Sequence, residues 1–163
     1  MMGDAILMRC GVSRASLLAA VFIAVALASL SARADPCKLD SVGGIDFGNY
    51  DPLSPTTLHT AGTFGYGCPP GQGGPEISIS QGQWGTYASR AMQNAADPAG
   101  LLHYNLYLEA SCVTVWGNGS NGTSVNLGPA GRDQSIPVYA CMPPLQNVSA
   151  GTFTDTVVVT FNF

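Results

Sequence analysis

The chain has 163 residues, of which 46% are apolar and only 10% are charged, and its formal net charge is −4. The first 34 residues hold three arginines against Asp4 alone and carry +2, which leaves −6 for residues 35–163. The three cations of that later part, Lys38, Arg90 and Arg132, cannot form a surface that tracks a phosphate backbone, so we expect no nucleic-acid partner.

The N-terminal segment predicts an export signal. A basic start precedes an apolar run over residues 16–30, and Ala32-Arg33-Ala34 supplies a small-x-small cleavage site. The apolar run is shorter than the roughly 20 residues that a membrane-spanning helix needs. We therefore expect a signal peptide over 1–34, one domain over 35–163, and no stable membrane insertion.

Four cysteines follow the predicted signal peptide: Cys37, Cys68, Cys112 and Cys141. An even count behind an export signal indicates two disulfides, whereas zinc sites typically use closely spaced pairs. Three pairings are open, and we favour 37–68 with 112–141. Each bridge would then close a loop of about 30 residues, which stabilises a domain by roughly 3–4 kcal/mol in the chain-entropy view.

The predicted elements are short strands separated by Gly, Pro and Asn turn clusters. This pattern is typical of an all-β sandwich. In chain order the strands lie near 63–68, 76–80, 87–92, 102–110, 113–116, 135–141 and 152–163.

The run over 152–163 gives the strongest strand signal. Val157, Val159, Phe161 and Phe163 alternate with more polar residues and would share one face. Because the run reaches the last residue of the sequence, we expect its edge to lack a neighbouring strand. Such an edge, with apolar surface beside it, promotes aggregation unless another chain segment covers it.

The sequence contains few residues or motifs that could form a catalytic site. His59 and His103 are the only histidines, no serine lies in a G-x-S-x-G turn, and the glycine-rich loop 117–122 has neither acidic ligands nor a lysine. We therefore expect no enzyme activity, no cofactor and no metal.

Four motifs combine adjacent uncommon residues: FGNYDPLSPT at 47–56, LHYNLY at 102–107, TVWGNG at 114–119 and AGTFTDTV at 150–157. Together they resemble those of the spore-coat-protein-U family, which includes the Csu-type pilins of archaic chaperone–usher fibres. The residues that carry the resemblance most directly are Phe47, Gly48, Tyr50, Asp51, Pro52, Tyr104, Asn105, Tyr107, Trp116 and Gly117.

The resemblance implies an exported pilin with an immunoglobulin-like β-sandwich that lacks its final strand. It implies three kinds of partner: a periplasmic chaperone that lends a strand, an outer-membrane usher, and other pilin subunits. The subunit would pass through the periplasm to a fibre at the cell surface, where it could serve adhesion or biofilm formation on a host or abiotic surface. Val157, Val159, Phe161 and Phe163 would face the acceptor groove.

Two features depart from the family pattern. Family pilins that polymerise carry a donor segment before their first cysteine, but only Asp35 and Pro36 would precede Cys37 after cleavage. Two residues reach about 7 Å, whereas a ten-residue donor strand spans about 33 Å. This favours a terminal, tip or adhesin-like subunit. Cys112 and Cys141 also look like additions to the usual family pattern. A bridge between them would stabilise an exposed end of the domain.

The alternative is a free-standing secreted module that binds carbohydrate or a surface. Four aromatic residues could then form a stacking platform: Trp84, Tyr87, Trp116 and Tyr139. A complete sandwich of this kind would be stable alone, whereas an open pilin would not.

Overall fold

The computed structural model describes residues 37–121 and 123–163. The predicted signal peptide lies outside the described residues. Those residues form nine strands and no helix, and hence no helix that could span a membrane. The strands are β1 Lys38–Val42, β2 Leu58–Gly67, β3 Glu76–Ile79, β4 Arg90–Asn94, β5 Leu101–Tyr107, β6 Asn126–Leu127, β7 Gln134–Met142, β8 Phe153–Thr154 and β9 Val159–Asn162.

The strands form two antiparallel sheets. The larger has the order β1-β2-β7-β5-β4-β8 and the smaller the order β6-β3-β9. The longest pairing joins β2 to β7 over nine residue pairs, from Leu58↔Met142 to Tyr66↔Gln134. The predicted fold class, an all-β immunoglobulin-like sandwich, is confirmed.

Period-two alternation explains which faces meet. Phe64 and Tyr66 of β2 are buried beside exposed Thr63, and Val138 of β7 is buried beside exposed Pro137. These side chains share one core with Ile77 and Ile79 of the smaller sheet and with Leu102, Tyr104 and Leu106 of β5. The core therefore lies between the two sheets.

Trp116 occupies the centre of this core. Its side chain is fully buried, its Nε1 donates a hydrogen bond of 2.8 Å to the Ile77 carbonyl, and its ring packs edge-on against Phe64 at 5.8 Å. Its own backbone N–H donates to the Leu106 carbonyl. The indole thus satisfies its polar atom and links the two sheets.

Disulfide bonds join Cys37 to Cys68 and Cys112 to Cys141 in the structure. The first ties the chain before β1 to the end of β2, and the second ties the turn after β5 to β7.

Several predicted elements differ from the observed ones. The run 113–116 makes only isolated bridges, Tyr107↔Val115 and Trp116↔Ser124, and the run 102–110 ends as a strand at Tyr107. The run 152–163 is two strands in different sheets, because residues 155–158 cross between them. The short strands β1 and β6 had no clear pattern, since every residue of β1 is exposed.

Candidate functional site

The C-terminal segment changes sheets along its length. β8 pairs with β4 in the larger sheet through Asn94↔Phe153, and β9 pairs with β3 in the smaller sheet from Ile79↔Val159 to Glu76↔Asn162. On its other side β9 pairs with no strand among the described residues. Its outer backbone groups therefore form an edge that another strand can extend.

An apolar groove, which we define by its two walls, runs beside this edge. One wall is the segment 42–47, which begins at the last residue of β1, and the other is the segment 153–159. Its floor consists of core side chains: Phe64, Met92, Tyr104 and Leu106.

The groove comprises two adjoining cavities of about 350 Å³ and about 570 Å³. They share Ile45, Phe47, Met92 and Phe153. The second cavity extends to Pro52, Met142 and Val148. The hydrophobic core is thus open along one side, with room for a row of further side chains.

The signature segment near 47–56 builds one end of the groove. Phe47 packs edge-on against Tyr104 with ring centres 5.7 Å apart. The Tyr50 hydroxyl donates to the Pro143 carbonyl at 3.0 Å and accepts from the Gln146 N–H at 2.8 Å. These contacts anchor a loop of many small and turn-forming residues to the sheet.

Asp155 fixes the point at which the chain leaves one sheet for the other. One carboxylate oxygen accepts hydrogen bonds from the N–H groups of Gln83 at 2.9 Å and Thr156 at 2.8 Å, and the other accepts from the Tyr104 hydroxyl at 2.8 Å. Burial, together with this hydrogen bond, raises the pKa of Tyr104 well above its usual value. The phenol therefore remains a donor at neutral pH.

Gly82 allows Asp155 to approach so closely. Its φ of +85° lies in the left-handed region, and a Cβ built there would lie 2.1 Å from the Asp155 Oδ2. Only glycine combines this backbone conformation with this contact.

Arg90 links both sheets from inside the core. Its guanidinium is fully buried and donates to the Ser80 carbonyl at 2.7 and 2.9 Å, to the Trp116 carbonyl at 2.9 Å, and to the Asn105 side-chain oxygen. Burial lowers the pKa of the guanidinium, but arginine remains a cation because its ordinary pKa is so high. Alternation along β5 would put Asn105 on the polar face opposite Tyr104 and Leu106, yet Asn105 is buried and its side-chain oxygen accepts from this cation.

The four residues predicted to face the groove do not have one environment. Val157 and Val159 are half-buried and line it. Phe161 packs against the rings of Phe64 and Tyr66, at 6.2 and 5.9 Å. Phe163 is 56% exposed and stacks on Phe161. Their contact with a partner strand stays a prediction.

Sequence reasoning singled out Phe47 as part of the family signature but missed the rest of the opposite wall, residues 42–46. Val42 is exposed, Gly43 and Gly44 carry no side chain, and no periodic pattern marks the segment. Only the position of β1 beside β2 brings it opposite the C-terminal segment.

The aromatic platform of the alternative hypothesis does not form as predicted. Trp116 is fully buried in the core, whereas Trp84 is 43% exposed. A single surface cannot present both rings to a sugar, so the four-residue platform is wrong.

The histidines lie apart. His59 Nδ1 faces the sulfur atoms of Cys112 and Cys141, and His103 Nδ1 lies 3.0 Å from the Ser89 hydroxyl. A catalytic triad needs a carboxylate that orients the histidine ring. Among the hydrogen bonds of the described residues, no carboxylate contacts either imidazole. The absence of enzyme activity stays a prediction.

Comparison with known proteins adds an evolutionary relationship. The family model of the Spore Coat Protein U domain matches residues 23–160. Protein U of Myxococcus xanthus is 33% identical over 140 residues, which cover 78% of this chain and 77% of that protein.

The fold also resembles a solved structure, the CsuC–CsuE chaperone–tip adhesion subunit pre-assembly complex from the archaic chaperone-usher Csu pili of Acinetobacter baumannii. The match has a TM-score of 0.52 at 22% identity and covers 78% of this chain. The chain spans 39% of the length of the matched chain, and the similarity concerns the fold.

Proposed function

This chain belongs to the Spore Coat Protein U domain family, and we propose that it is an exported structural subunit of a bacterial surface fibre or coat. In this proposal its groove accepts an extended strand from another protein. The partners are a periplasmic chaperone during export, an outer-membrane usher, and then a neighbouring subunit. The chain has no catalytic role.

The observation that carries this proposal is the open core beside the edge of β9 that pairs with no strand in the described part of the chain. A strand seated there would complete the backbone hydrogen bonds of β9 and place alternate side chains over Phe64, Met92 and Leu106. Four buried donor side chains would contribute roughly 6–12 kcal/mol before ordering costs. That range is large enough to decide whether the subunit persists as a folded protein.

The first test compares the subunit with and without a strand. We would export residues 1–163 into a bacterial periplasm, purify the processed chain, and record its thermal unfolding and size distribution. We expect a weakly folded or polymeric product alone, and a cooperative monomer when a cognate chaperone or an alternating apolar donor peptide is bound. A heat-resistant monomer without any partner strand would contradict the proposal.

Two neighbouring valines give a matched pair of variants. Val157 lines the groove and is half-buried, whereas Val158 is 62% exposed. In the open subunit the carboxylate of Val157→Asp can still reach water, but a seated strand would desolvate it. We expect Val157→Asp to weaken donor-peptide binding by about 100-fold or more, equivalent to about 3 kcal/mol, and Val158→Asp to leave it nearly unchanged. Equal effects of the two variants would place the peptide elsewhere.

A terminal position in the fibre is the finer part of the proposal. Cleavage after Ala34 would leave too short a segment before Cys37 to reach a neighbour's groove. The mass of the mature N-terminus tests this. A start at Asp35 agrees with a subunit that accepts but does not donate, and a start ten or more residues earlier contradicts it.

A further inference from the structure

A second cluster of chemically active side chains lies away from the groove. His59 of β2 and Cys141 of β7 are directly opposite each other in the sheet register, and Cys112 reaches them from the turn after β5. His59 Nδ1 lies 3.2 Å from the Cys141 sulfur and 3.6 Å from the Cys112 sulfur. No residue that lines the groove belongs to this cluster.

We propose that, before its two cysteines are oxidised to the disulfide, this cluster binds one thiophilic divalent ion of the Zn²⁺ class. Two thiols and one imidazole are a common zinc ligand set, completed by a fourth ligand such as water. Each thiol releases its proton as its sulfur binds the ion, and the imidazole binds through its Nδ1 lone pair. The disulfide and the metal-bound dithiolate are alternative states of the same two sulfurs, and a two-electron oxidant such as another disulfide converts the second into the first and releases the ion.

The ligand spacing agrees with this assignment. With metal–sulfur distances near 2.3 Å and metal–nitrogen distances near 2.05 Å, a tetrahedral site has nitrogen and sulfur ligands about 3.6 Å apart and two sulfurs about 3.8 Å apart. The observed nitrogen–sulfur distances of 3.2 and 3.6 Å are close to this value. The Cα atoms of Cys112 and Cys141 are 6.5 Å apart, so side-chain rotation can provide the sulfur spacing.

The backbone around the cluster is held by contacts other than the disulfide. The Glu109 carboxylate accepts hydrogen bonds from the N–H groups of Val113 and Thr114, and the Glu109 carbonyl accepts from the Cys112 N–H. The β2–β7 ladder fixes His59 beside Cys141. Thiols at these positions would therefore remain beside the imidazole, which is the preorganisation that a metal site needs.

The site is also accessible. His59 is exposed, and a cavity of about 300 Å³ adjoins the three ligands. It gives room for a water molecule as the fourth ligand. Among the hydrogen bonds of the described residues, neither histidine contacts the other cysteine pair, Cys37 and Cys68, and the Cys37 sulfur lies near the Gln72 side chain. That pair is a matched internal control.

The test uses Co²⁺ as a spectroscopic probe for the zinc site. The processed chain is used in the state in which the strand experiment finds it folded, alone or with a donor strand bound. It is reduced with a phosphine, checked for retained strand structure by circular dichroism, and titrated with Co²⁺ under anaerobic conditions. Intense absorption of Co²⁺ in the visible range reports tetrahedral coordination, and a near-ultraviolet band reports thiolate ligation. Competition with Zn²⁺ then gives the relative affinity. The same protein with its disulfides intact serves as the first control and should give no such bands.

Three variants assign the ligands. We expect Cys112→Ser with Cys141→Ser to abolish the thiolate band, and His59→Ala to weaken binding by about tenfold or more, because each removes a direct ligand. Cys37→Ser with Cys68→Ser should bind as the parent does. The proposal is wrong if the reduced chain gives no tetrahedral spectrum, if His59→Ala binds as tightly as the parent, or if the bands depend on Cys37 and Cys68. Because each measurement is made on folded protein, with or without a donor strand as the folding requires, failure of the groove proposal and failure of the metal site give different results.

Discussion

Replacing Tyr104 by phenylalanine removes a single oxygen atom at the point where the C-terminal segment crosses between the sheets. Tyr104 is 6% exposed, and its hydroxyl donates to the Asp155 carboxylate at 2.8 Å. A hydrogen bond to a charged group contributes about 1.5–3 kcal/mol to stability. Asp155 keeps its two backbone donors, so its charge is not left unpaired. We therefore expect Tyr104→Phe to lower the free energy of unfolding by about 1.5–2.5 kcal/mol at pH 7.

The same variant predicts a change in pH dependence. Because the pKa of Tyr104 is raised in the folded state, its stabilising contribution is complete below the unfolded-state pKa of about 10. Above that pH the unfolded chain loses the phenolic proton while the folded one keeps it. The contribution then declines by up to about 1.4 kcal/mol per pH unit. We expect the stability difference between the parent and Tyr104→Phe to be clearly smaller at pH 11 than at pH 7.

Urea unfolding of both proteins at pH 7, 9 and 11, with disulfides intact and in the same partner-bound state, measures both effects. Tyr107→Phe is the control, since this residue lies on the same strand and its hydroxyl makes no hydrogen bond among the described residues. We expect it to change stability by less than about 0.5 kcal/mol. A Tyr104→Phe protein as stable as the parent at pH 7, or a stability difference independent of pH, would refute this account of Asp155.

Two further predictions concern the support of the groove. Gly82→Ala should destabilise the fold by about 2 kcal/mol or more, because the new Cβ would collide with the Asp155 carboxylate. Gly71→Ala is the control: Gly71 also has a positive φ (+88°) but lies in open space, so its replacement should cost only about 1 kcal/mol. Chemical denaturation compares the two variants, and equal losses of stability would mean that the contact with Asp155 is unimportant. Arg90→Met should cost about 3 kcal/mol or more, since it leaves the Ser80 and Trp116 carbonyls without these donors. Arg90→Lys should recover part of the loss because it keeps the charge without the planar fork. A fully stable Arg90→Met protein in the same assay would contradict the assigned role of the guanidinium.

The sequence by itself predicted the class of the fold and the strands with strong alternation. Val159 and Phe161 of β9 are apolar at every second position, and both are half-buried while Thr160 and Asn162 are exposed, so their face was readable without coordinates. The family motifs predicted the relationship for the same reason: runs such as FGNYDP combine adjacent uncommon residues, and the family match confirms them.

Only the tertiary structure decided how the predicted pieces form a site. The run 152–163 has one continuous pattern, yet its first part pairs with β4 and its last part with β3, because Asp155 binds Gln83 and Tyr104 at the crossing. Contacts of this kind depend on side chains far apart in sequence, and no local propensity encodes them.

The same reason explains the two features that sequence analysis did not find. Asn105 lies on a strand whose alternation suggested solvent, but a buried Arg90 requires its side-chain oxygen. His59 and Cys141 are 82 residues apart and become neighbours only through the β2–β7 register. Composition and periodicity determine which faces are apolar, whereas the pairing of strands determines which polar groups meet.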